Sequence, residues 1–393
     1  MSTIKVQNIQ HTGSSTNAIS LASDGTATAN LTNIGGGQLG NRNLIINGAM
    51  QVAQRGTSST TSGYATVDRF AVQYGGTDEA PTQAQVDVAA GTSPYTNGFR
   101  KAYKITNGNQ TSGAGAADFV RYRIRIENQD IANSGWNYTS SSSSITLSFW
   151  VKSSVAQNFY GHLLTLEGTQ QGYPFETGSL TADTWTKITK TIPGNSNLTF
   201  ANNNTLGLEV SIYGFLGTDF TASGVTENAW NAWSSSTYTE DQTSTWYTTN
   251  NATLEITGVQ LEVGTVATDF EHRSFAQELL LCQRYYYRTT PLNLGFFGVG
   301  NVDGSNQSQI LITFPTEMRS KPTSVETSGT AAQYALRVST NATCSSVPAI
   351  GNTTTVNAIC EFNSTSHGFT SGQAAFGRSL SDAAFLGFAG AEL

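Results

Sequence analysis

Short segments in which apolar and polar side chains alternate recur along most of this chain, and they restrict its fold more than any other feature. Between residues 41 and 273 there are about ten of them, separated by polar turns. VDRFAVQY at 67–74 and FVRYRIRIE at 119–127 are clear examples. Alternation with a period of two is typical of β-strands that bury one face. No helical period of useful length precedes Ser274, and this disfavours α/β folds.

The spacing of these segments predicts an all-β protein whose main body, residues 41–273, is a jelly-roll-like antiparallel sandwich. The period changes at Ser274, which is a good N-cap residue with Gln277 at the capping-box position. We therefore predict one short linker helix over residues 274–283. Alternation returns after it, so residues 284–393 are predicted to form a second, smaller C-terminal β-domain.

Residues 1–40 differ from the rest of the chain. Their short alternating pieces lie between Gly, Ser, Asn and Asp turns, and Gly35, Gly36 and Gly37 form a flexible joint. About 40 such residues cannot bury a core alone. They would become ordered by pairing with other copies or by docking on a larger body. We expect an N-terminal assembly or attachment arm, and a disordered tail is the alternative.

Charge and hydropathy exclude two classes of partner. Charged residues make up 12% of the chain, against about 25% in typical soluble domains, and the net charge is −7. Without a basic tract, the sequence lacks the electrostatic footprint of nucleic-acid binding. No window approaches ~18 consecutive apolar residues, and the first residues lack the apolar core of a secretory signal. We expect no nucleic-acid binding, no membrane insertion, and synthesis in a cytoplasm.

The most basic stretch is a single predicted strand. Arg121, Arg123 and Arg125 fall on one face of it, with apolar residues on the other. A solvated outer face is the plainest interpretation of this pattern. An anionic ligand or a contact between subunits would also use it.

The residue types that commonly bind metals give little sign of a cofactor. The count of cysteines is odd and no CxxC pair occurs; Cys344 and Cys360 either pair in an oxidising setting or remain lone buried thiols. The four histidines show no metal-binding spacing. We expect no cofactor, and a Ca²⁺ site at turn acids such as Asp78 and Glu79 is the one alternative kept open.

Aromatic residues concentrate in a predicted loop, residues 227–252. Sugars present apolar CH faces that stack on Trp and Tyr, while Asn, Asp and Glu meet their hydroxyls. This loop supplies both kinds of group, and the candidate glycan-binding residues are Trp230, Trp233, Glu240, Asp241, Trp246 and Tyr247. The alternative is that these rings fill the sandwich or a subunit interface.

Signals for catalysis are weak. Glycoside hydrolysis needs two carboxylates at a fixed separation, and pairs such as Glu240 with Asp241 or Glu127 with Asp130 fit solvated turn acids better. No nucleophile elbow, P-loop or GxGxxG motif after a strand is present. We expect the protein not to be an enzyme.

Three segments carry a resemblance to a known family. They are NRNLIINGAMQVAQRGTS at 41–58 with YATVDRF at 64–70, ITGVQLEVGTVATDFEHRSFAQELLLCQRYYYR at 256–288, and FPTEMRSKPTSV at 314–325. Together they resemble tail-fibre and virion structural proteins of tailed bacteriophages. The first resembles the opening of a carbohydrate-binding-module-like jelly roll in such fibres, the second resembles its closing strand and exit helix, and the third matches a pattern of the region that follows.

The resemblance implies a particle component rather than an enzyme. Such a protein would be a homo-oligomer, expected to be a trimer, located in the virion tail and assembled in the host cytoplasm. Its N-terminal arm would join other virion tail proteins, and its β-domains would contact a host surface glycan or protein. Phe270 and Arg273 would anchor the exit helix. A purely structural head fibre or decoration protein, and a glycan-processing enzyme on the same scaffold, are the alternatives.

Overall fold

The computed structural model describes residues 6–10, 12, 18–24, 27–29, 41–304, 306–365 and 368–393. Its described parts are built almost entirely from antiparallel sheets, which confirms the predicted all-β class. None of the helices in these parts has the length and apolarity needed to cross a bilayer.

Among the described residues before Asn41, three short strands form one small sheet: β1 (Asn8–Ile9), β2 (Ile19–Leu21) and β3 (Ala27–Ala29). Val6, Ile9 and Leu21 are exposed. The predicted joint at residues 35–37 lies outside the described residues.

The main body is a sandwich of two six-stranded sheets. Its strands are β4 (Ser58–Ser59), β5 (Phe70–Gly75), β6 (Thr82–Asp87), β7 (Lys101–Thr106), β8 (Phe119–Glu127), β9 (Ser144–Ser153), β10 (Asn158–Thr165), β11 (Gln171–Ser179), β12 (Thr186–Pro193), β13 (Leu206–Leu216), β14 (Asn231–Ala232) and β15 (Thr253–Val263). The first sheet has the order β14-β11-β10-β13-β8-β5, and the second has the order β12-β9-β15-β7-β6-β4.

The core of this domain lies between the two sheets. Tyr122 and Ile124 on β8, and Leu147 and Phe149 on β9, are buried in the same apolar cluster. Burying each such side chain stabilises the fold by roughly 1.5–3 kcal/mol. Because successive residues of a strand point to opposite faces, the intervening residues of β8 and β9 lie on the two outer faces of the sandwich.

Helices are few and short in the described residues. They are α1 (Ser93–Thr96), α2 (Asn128–Ala132), α3 (Thr245–Thr248) and α4 (Phe275–Gln283), with one 3₁₀ turn at Ala331–Gln333. Helix α4 is the predicted linker helix. Its capping box is formed: Gln277 N donates to Ser274 Oγ at 3.3 Å, and Ser274 N donates to Gln277 Oε1 at 3.1 Å.

The second domain has its own sheets and core. Its strands are β16 (Tyr287–Thr289), β17 (Phe296–Val302), β18 (Gln307–Thr313), β19 (Ser324–Thr327), β20 (Tyr334–Arg337), β21 (Asn341–Thr343), β22 (Ala349–Thr353), β23 (Asn357–Asn363), β24 (Ala374–Ser379) and β25 (Leu386–Ala389). A three-stranded sheet, β16-β25-β19, accompanies a seven-stranded sheet, β21-β20-β24-β17-β18-β23-β22. Cys344 and Cys360 are buried, free thiols in this domain, and burial raises the pKa of each to about 12.

The two domains meet at a buried carboxylate. Glu127, at the end of β8, is fully buried and accepts hydrogen bonds from Nε and Nη2 of Arg284, both at 2.9 Å, and from the Tyr285 hydroxyl at 2.6 Å. Burial would raise the pKa of Glu127, but the hydrogen bonds from Arg284 and Tyr285 outweigh it and hold the pKa below its ordinary value. This carboxylate therefore ties the first domain to the chain just after α4.

A second tie joins the domains near residue 392. The Glu392 carboxylate accepts hydrogen bonds from Nη1 of Arg69 at 2.6 Å and from Nη1 of Arg55 at 3.3 Å. The Arg69 guanidinium also lies 3.4 Å from the centroid of the Tyr285 ring, and Arg55 lies 3.5 Å from that of Tyr286. Charge pairing and cation–π contact act together here.

Candidate functional site

The outer face of the second sheet carries a tryptophan on one of its central strands. Leu147 and Phe149 of β9 point into the core, so Ser148 and Trp150 point outward. In the sheet, Trp150 lies opposite Lys187 of β12. A large, half-buried indole at this position differs from the small polar side chains that a solvated sheet face usually carries.

Trp150 lines a cavity of about 380 Å³, which we name the Trp150 groove. The groove has apolar and polar walls. Its aromatic members are Phe99, Trp150, Phe270 and His272, and its polar members are Thr96, Asn97, Ser148, Lys187, Thr268 and Asp269. Strands β9, β12 and β15 supply the floor, and the segments around residues 97 and 270 supply the rim.

The aromatic wall of the groove is held by mutual ring contacts. The ring centroids of Phe99 and Phe270 are 4.9 Å apart with an interplanar angle of 73°, an edge-to-face arrangement. His272 lies 5.1 Å from Phe99 and 4.9 Å from Phe270, measured between centroids. The His272 Nε2 is also 3.0 Å from the Asn97 carbonyl oxygen. These contacts fix the rim segments against each other.

A glycine shapes the floor. Gly258 lies in an irregularity of β15 between Thr257 and Gln260, with φ of 63°. A Cβ atom there would approach the Phe99 ring to 2.6 Å, which no side chain could tolerate without displacement. Both the backbone conformation and the space require glycine at this position.

The aromatic surface extends beyond the cavity along the same face. Trp150 and Trp185, like Val86 and Tyr95, are half-buried and pack against the small apolar cluster that contains Phe99. The Lys152 ammonium lies 5.2 Å from the Trp185 ring centroid and 3.1 Å from Glu255 Oε1. Flat apolar rings therefore alternate with charged groups along this side of the sandwich.

This arrangement provides binding chemistry. An indole face beside amide, hydroxyl and charged groups matches the CH faces and hydroxyls of a saccharide. Among the described residues that line the groove, Asp269 is the one carboxylate. Acid–base cleavage of a glycosidic bond by the usual route needs two.

Two of the six residues predicted to bind a glycan lie in the core. Trp246 and Tyr247, in α3, are fully buried between the sheets. The Trp246 Nε1 donates to the Thr253 carbonyl oxygen at 3.0 Å, and the Tyr247 hydroxyl donates to Asp118 Oδ2 at 3.0 Å. Neither ring presents a face to a ligand, which corrects the expectation for these two positions.

The other four predicted residues lie near the first sheet, away from the Trp150 groove. Trp230 packs edge-to-face on Tyr173 at 5.3 Å between centroids, and its Nε1 donates to the Pro193 carbonyl oxygen at 2.7 Å. Trp233 stacks against His162, with centroids 5.4 Å apart.

The two predicted acids are on the surface of the same region. Glu240 is half-buried, and Asp241 is exposed and accepts a hydrogen bond from the Thr221 hydroxyl at 2.8 Å. The structure therefore does not gather the six predicted residues into one site.

The turn acids considered for Ca²⁺ are engaged with a neighbouring loop. Asp78 accepts hydrogen bonds from the backbone N and the hydroxyl of Ser112, and these lower its pKa. Glu79 Oε2 accepts one from Asn109 N at 2.6 Å. Within the described parts of the chain, no three His, Cys, Asp or Glu side chains converge as a metal site would require.

Sequence reasoning missed the Trp150 groove because its residues are far apart in the chain. The groove combines side chains from three separate segments, among them Phe99, Trp150 and Phe270. The sequence resemblance gives Phe270 only a role in anchoring α4. One signal was available. Trp150 falls on the outward side of the alternating segment ITLSFWVKSS, where the inward positions are Leu147, Phe149 and Val151.

No protein-family model matches the chain, and no curated protein matches it in sequence. Solved structures match at low identity. The enzymatically active domain of tailspike protein 4 from bacteriophage CBA120 aligns with 56% of this chain at 9% identity and a TM-score of 0.31, and the match covers 21% of that chain.

Two further structures align over almost their whole length. The N-terminal cellulose-binding domain of β-1,4-glucanase C from Cellulomonas fimi aligns with 55% of this chain and 99% of its own, at 10% identity and a TM-score of 0.27. A putative sugar-binding protein from Bacteroides thetaiotaomicron aligns with 57% of this chain and 100% of its own, at 12% identity and a TM-score of 0.28. At these TM-scores the likenesses carry no inference about what this chain binds.

Proposed function

We propose that this chain is a non-enzymatic carbohydrate-binding protein and that the Trp150 groove holds the saccharide. The observation that carries the proposal is the outward placement of Trp150 on a central strand, beside a fixed aromatic wall and several polar side chains. At about 380 Å³ the groove falls within the range of small-molecule sites, about 300–1,000 Å³. It is large enough for one or two sugar rings.

Each wall of the groove has a role in this proposal. The Trp150 face takes the CH face of a pyranose ring, which gains from burial of apolar area and from the orientation of the ring. Lys187, Asn97 and Asp269 offer donors and acceptors to the hydroxyl groups. Because Gly258 and the Phe99–Phe270 contact fix the walls, little ordering accompanies binding, and this favours affinity.

We further propose that the protein is a virion component of a tailed bacteriophage, most simply a tail fibre. The support is the resemblance of the segments at 41–70, 256–288 and 314–325. In this proposal, residues 1–40 join other tail proteins, and a homotrimer assembled in the host cytoplasm presents its β-domains to the host surface. Many weak saccharide sites on one multimer would act together, so millimolar single sites would still give firm attachment.

The test of saccharide binding uses the full chain and one tryptophan variant. Wild-type protein is screened on a glycan array, and the best neutral oligosaccharide is titrated by calorimetry. Trp150→Ala is expected to weaken binding at least tenfold, a loss of about 1.4 kcal/mol, because the stacking face is gone. Trp230→Ala is the matched control, since it removes a half-buried indole that lies outside the Trp150 groove. Equal binding by wild type and Trp150→Ala, or no bound glycan at all, would overturn the proposal.

The fibre proposal is tested by mass in solution. Light scattering on the full chain is expected to give three times 41.8 kDa. A variant that begins at Asn41 shows whether the β-domains alone hold the trimer together. A monomer in both cases would count against a fibre and favour a decoration protein that becomes ordered on a particle.

A further inference from the structure

The outer face of the first sheet concentrates positive charge. Tyr122, Ile124 and Ile126 of β8 point into the core, so the three arginines between and beside them point outward. We name the surface formed by Arg121, Arg123 and Arg125 the arginine face. Their side chains are 17%, 12% and 22% exposed, respectively. They are therefore far more enclosed than a solvated outer face would make them.

One carboxylate lies among the three guanidinium groups and bonds closely to two of them. Glu209 of β13, directly opposite Arg125, is buried; its Oε2 is 2.8 Å from Arg125 Nε, and its Oε1 is 3.2 Å from Arg121 Nη1. Burial would raise the pKa of Glu209, but the two guanidinium groups outweigh it and hold the pKa below its ordinary value. Glu209 is thus ionised and already engaged by two guanidinium groups and the Ser211 hydroxyl.

Arg123 is the arginine of this face that lies farthest from the Glu209 carboxylate. Its Nε is 4.0 Å from Glu209 Oε2, is buried, and has no hydrogen-bond partner. Its burial and the neighbouring charge of Arg125 both lower its pKa, although a guanidinium keeps its proton at any physiological pH. A desolvated charged group with a missing hydrogen bond and one long ion pair costs free energy, and an anion close to the guanidinium would offset part of that cost.

Aromatic rings border the arginine face. Arg123 lies opposite Ser211 of β13, and Ser211 lies opposite His162 of β10, on which Trp233 stacks. A small cavity of about 60 Å³ beside Arg121 is lined by Phe119, Leu216, Phe220 and Tyr238. Tyr238 in turn contacts Trp233, with centroids 4.2 Å apart. Flat apolar surface therefore adjoins the cationic centre.

We infer that the arginine face binds an oxyanion carried on a saccharide, a carboxylate or a phosphate, with Arg123 as the receiving group. A guanidinium presents parallel N–H donors that match such an oxyanion in a bidentate geometry. The sugar ring would lie against Trp233 and Tyr238. Since the whole chain carries a net charge of −7, the cationic character is local to this face. This site is on the opposite side of the sandwich from the Trp150 groove and does not depend on it.

The experiment titrates full-length protein with three probes by calorimetry: a galacturonic acid hexamer, a neutral galactose hexamer and inorganic phosphate. We expect the acidic hexamer or phosphate to bind, and the neutral hexamer to bind at least tenfold more weakly at this face. Binding should weaken as NaCl rises from 20 to 500 mM, because salt screens charge pairing. Tight binding of the galacturonic acid hexamer identifies a carboxylate ligand, and tight binding of phosphate identifies a phosphate ligand. Binding of neither overturns the inference.

Variants locate the effect. Arg123→Gln is expected to lose at least tenfold in affinity for the anionic probe, while Lys101→Gln, the same charge change on the second sheet, stays within twofold of wild type. Trp150→Ala should keep anion binding, which separates this site from the Trp150 groove. An equal loss in Arg123→Gln and Lys101→Gln would mean nonspecific attraction and reject the site.

The melting temperature and the oligomeric mass of the Arg123→Gln variant serve as controls for folding and assembly. Arg123→Gln should keep the wild-type melting temperature within a few degrees, because the ion pair of Arg123 with Glu209 is long, at 4.0 Å, and its Nε makes no hydrogen bond. Should that variant fail to fold, Arg123→Lys keeps the charge but not the bidentate fork, and it is expected to lose several-fold in affinity. A change of oligomeric mass in Arg123→Gln, with anion binding intact, would show that another copy of the chain covers this face and would overturn the inference.

Discussion

His162 shows how burial sets the chemistry of a single residue in this protein. His162 lies on the first sheet, and its Nδ1 is 2.6 Å from the Tyr213 hydroxyl oxygen. The imidazole ring also stacks on the Trp233 ring. Burial disfavours the charged ring and lowers the pKa to about 3; the charge of Glu209 opposes this shift without reversing it. The neutral ring is therefore the folded form over the whole physiological range.

A pH dependence of stability follows from that residue. Between pH 6.5 and 3, His162 is protonated in the unfolded chain but stays neutral in the folded chain. The free energy of unfolding therefore decreases as the pH falls below 6.5. The loss is about 1.4 kcal/mol per pH unit. His162→Phe should abolish this contribution. The free energy of unfolding in urea is measured from pH 7 to pH 4 for the wild type and for His162→Phe. The difference between the two curves gives the contribution of His162.

The comparison isolates one group because other titrating residues are common to both proteins. Asp68, for example, has a pKa raised to about 6 by burial, and it acts in the opposite direction, losing stability as pH rises towards 6. Wild-type and His162→Phe curves that stay parallel from pH 7 to pH 4 would contradict the prediction.

Among the elements, β15 does most to shape the Trp150 groove. It is the central strand between β9 and β7, and its irregularity at Thr257–Gln260 lets the Phe99 ring settle against the backbone of Gly258. A regular strand would place a side chain where that ring lies. The groove therefore depends on a backbone conformation as much as on its side chains.

Gly258→Ala tests this dependence. The new Cβ would be strained by the positive φ and would meet Phe99 at 2.6 Å, so we expect a loss of about 1–3 kcal/mol in unfolding free energy and weaker saccharide binding. Gly178→Ala is the matched control, because Gly178 has φ of 72° and open space around it. It should lose only about 1 kcal/mol and bind normally. Equal effects from both changes would show that strain alone, and not the Phe99 contact, matters.

At the scale of the whole molecule, the two domains are coupled through the Glu127 carboxylate. Arg284, Tyr285 and Gln129 all donate hydrogen bonds to it. Such a group stabilises the junction only while it is ionised and fully paired. The two apolar cores on either side share no residues, so polar contacts such as this one carry the coupling.

Glu127→Gln should weaken that coupling. The amide cannot accept all the donors and leaves the Arg284 guanidinium without its partner, so we expect a loss of about 3–5 kcal/mol. In scanning calorimetry, the unfolding transition should move to a lower temperature, while the Glu392 contacts still hold the two domains together. Glu317→Gln makes the same chemical change at an exposed acid and should leave the profile unchanged. One unshifted transition in Glu127→Gln would mean that the domains are coupled elsewhere.

Local patterns predicted the elements, but not the site. Alternation placed Tyr122 inward and Arg123 outward on β8, and Ser274 with Gln277 marked the start of α4, because periodicity and capping are properties of neighbouring residues. Whether an aromatic ring is buried depends on the topology. The sequence offers Trp246 and Trp150 as two large indoles in polar-rich segments, yet the fold places one in the core and the other at the groove.

The second domain is fastened to the first near both of its ends, where Arg284 meets Glu127 and where Glu392 meets Arg69 and Arg55. Arg319 and Asn204 add a further contact between the domains. A domain attached only through its linker rotates about that linker. One attached at both ends has lost that freedom, and a pulling force on it divides among attachments that act in parallel. The pair should therefore behave mechanically as one stiff body, which separates only when all of these attachments yield.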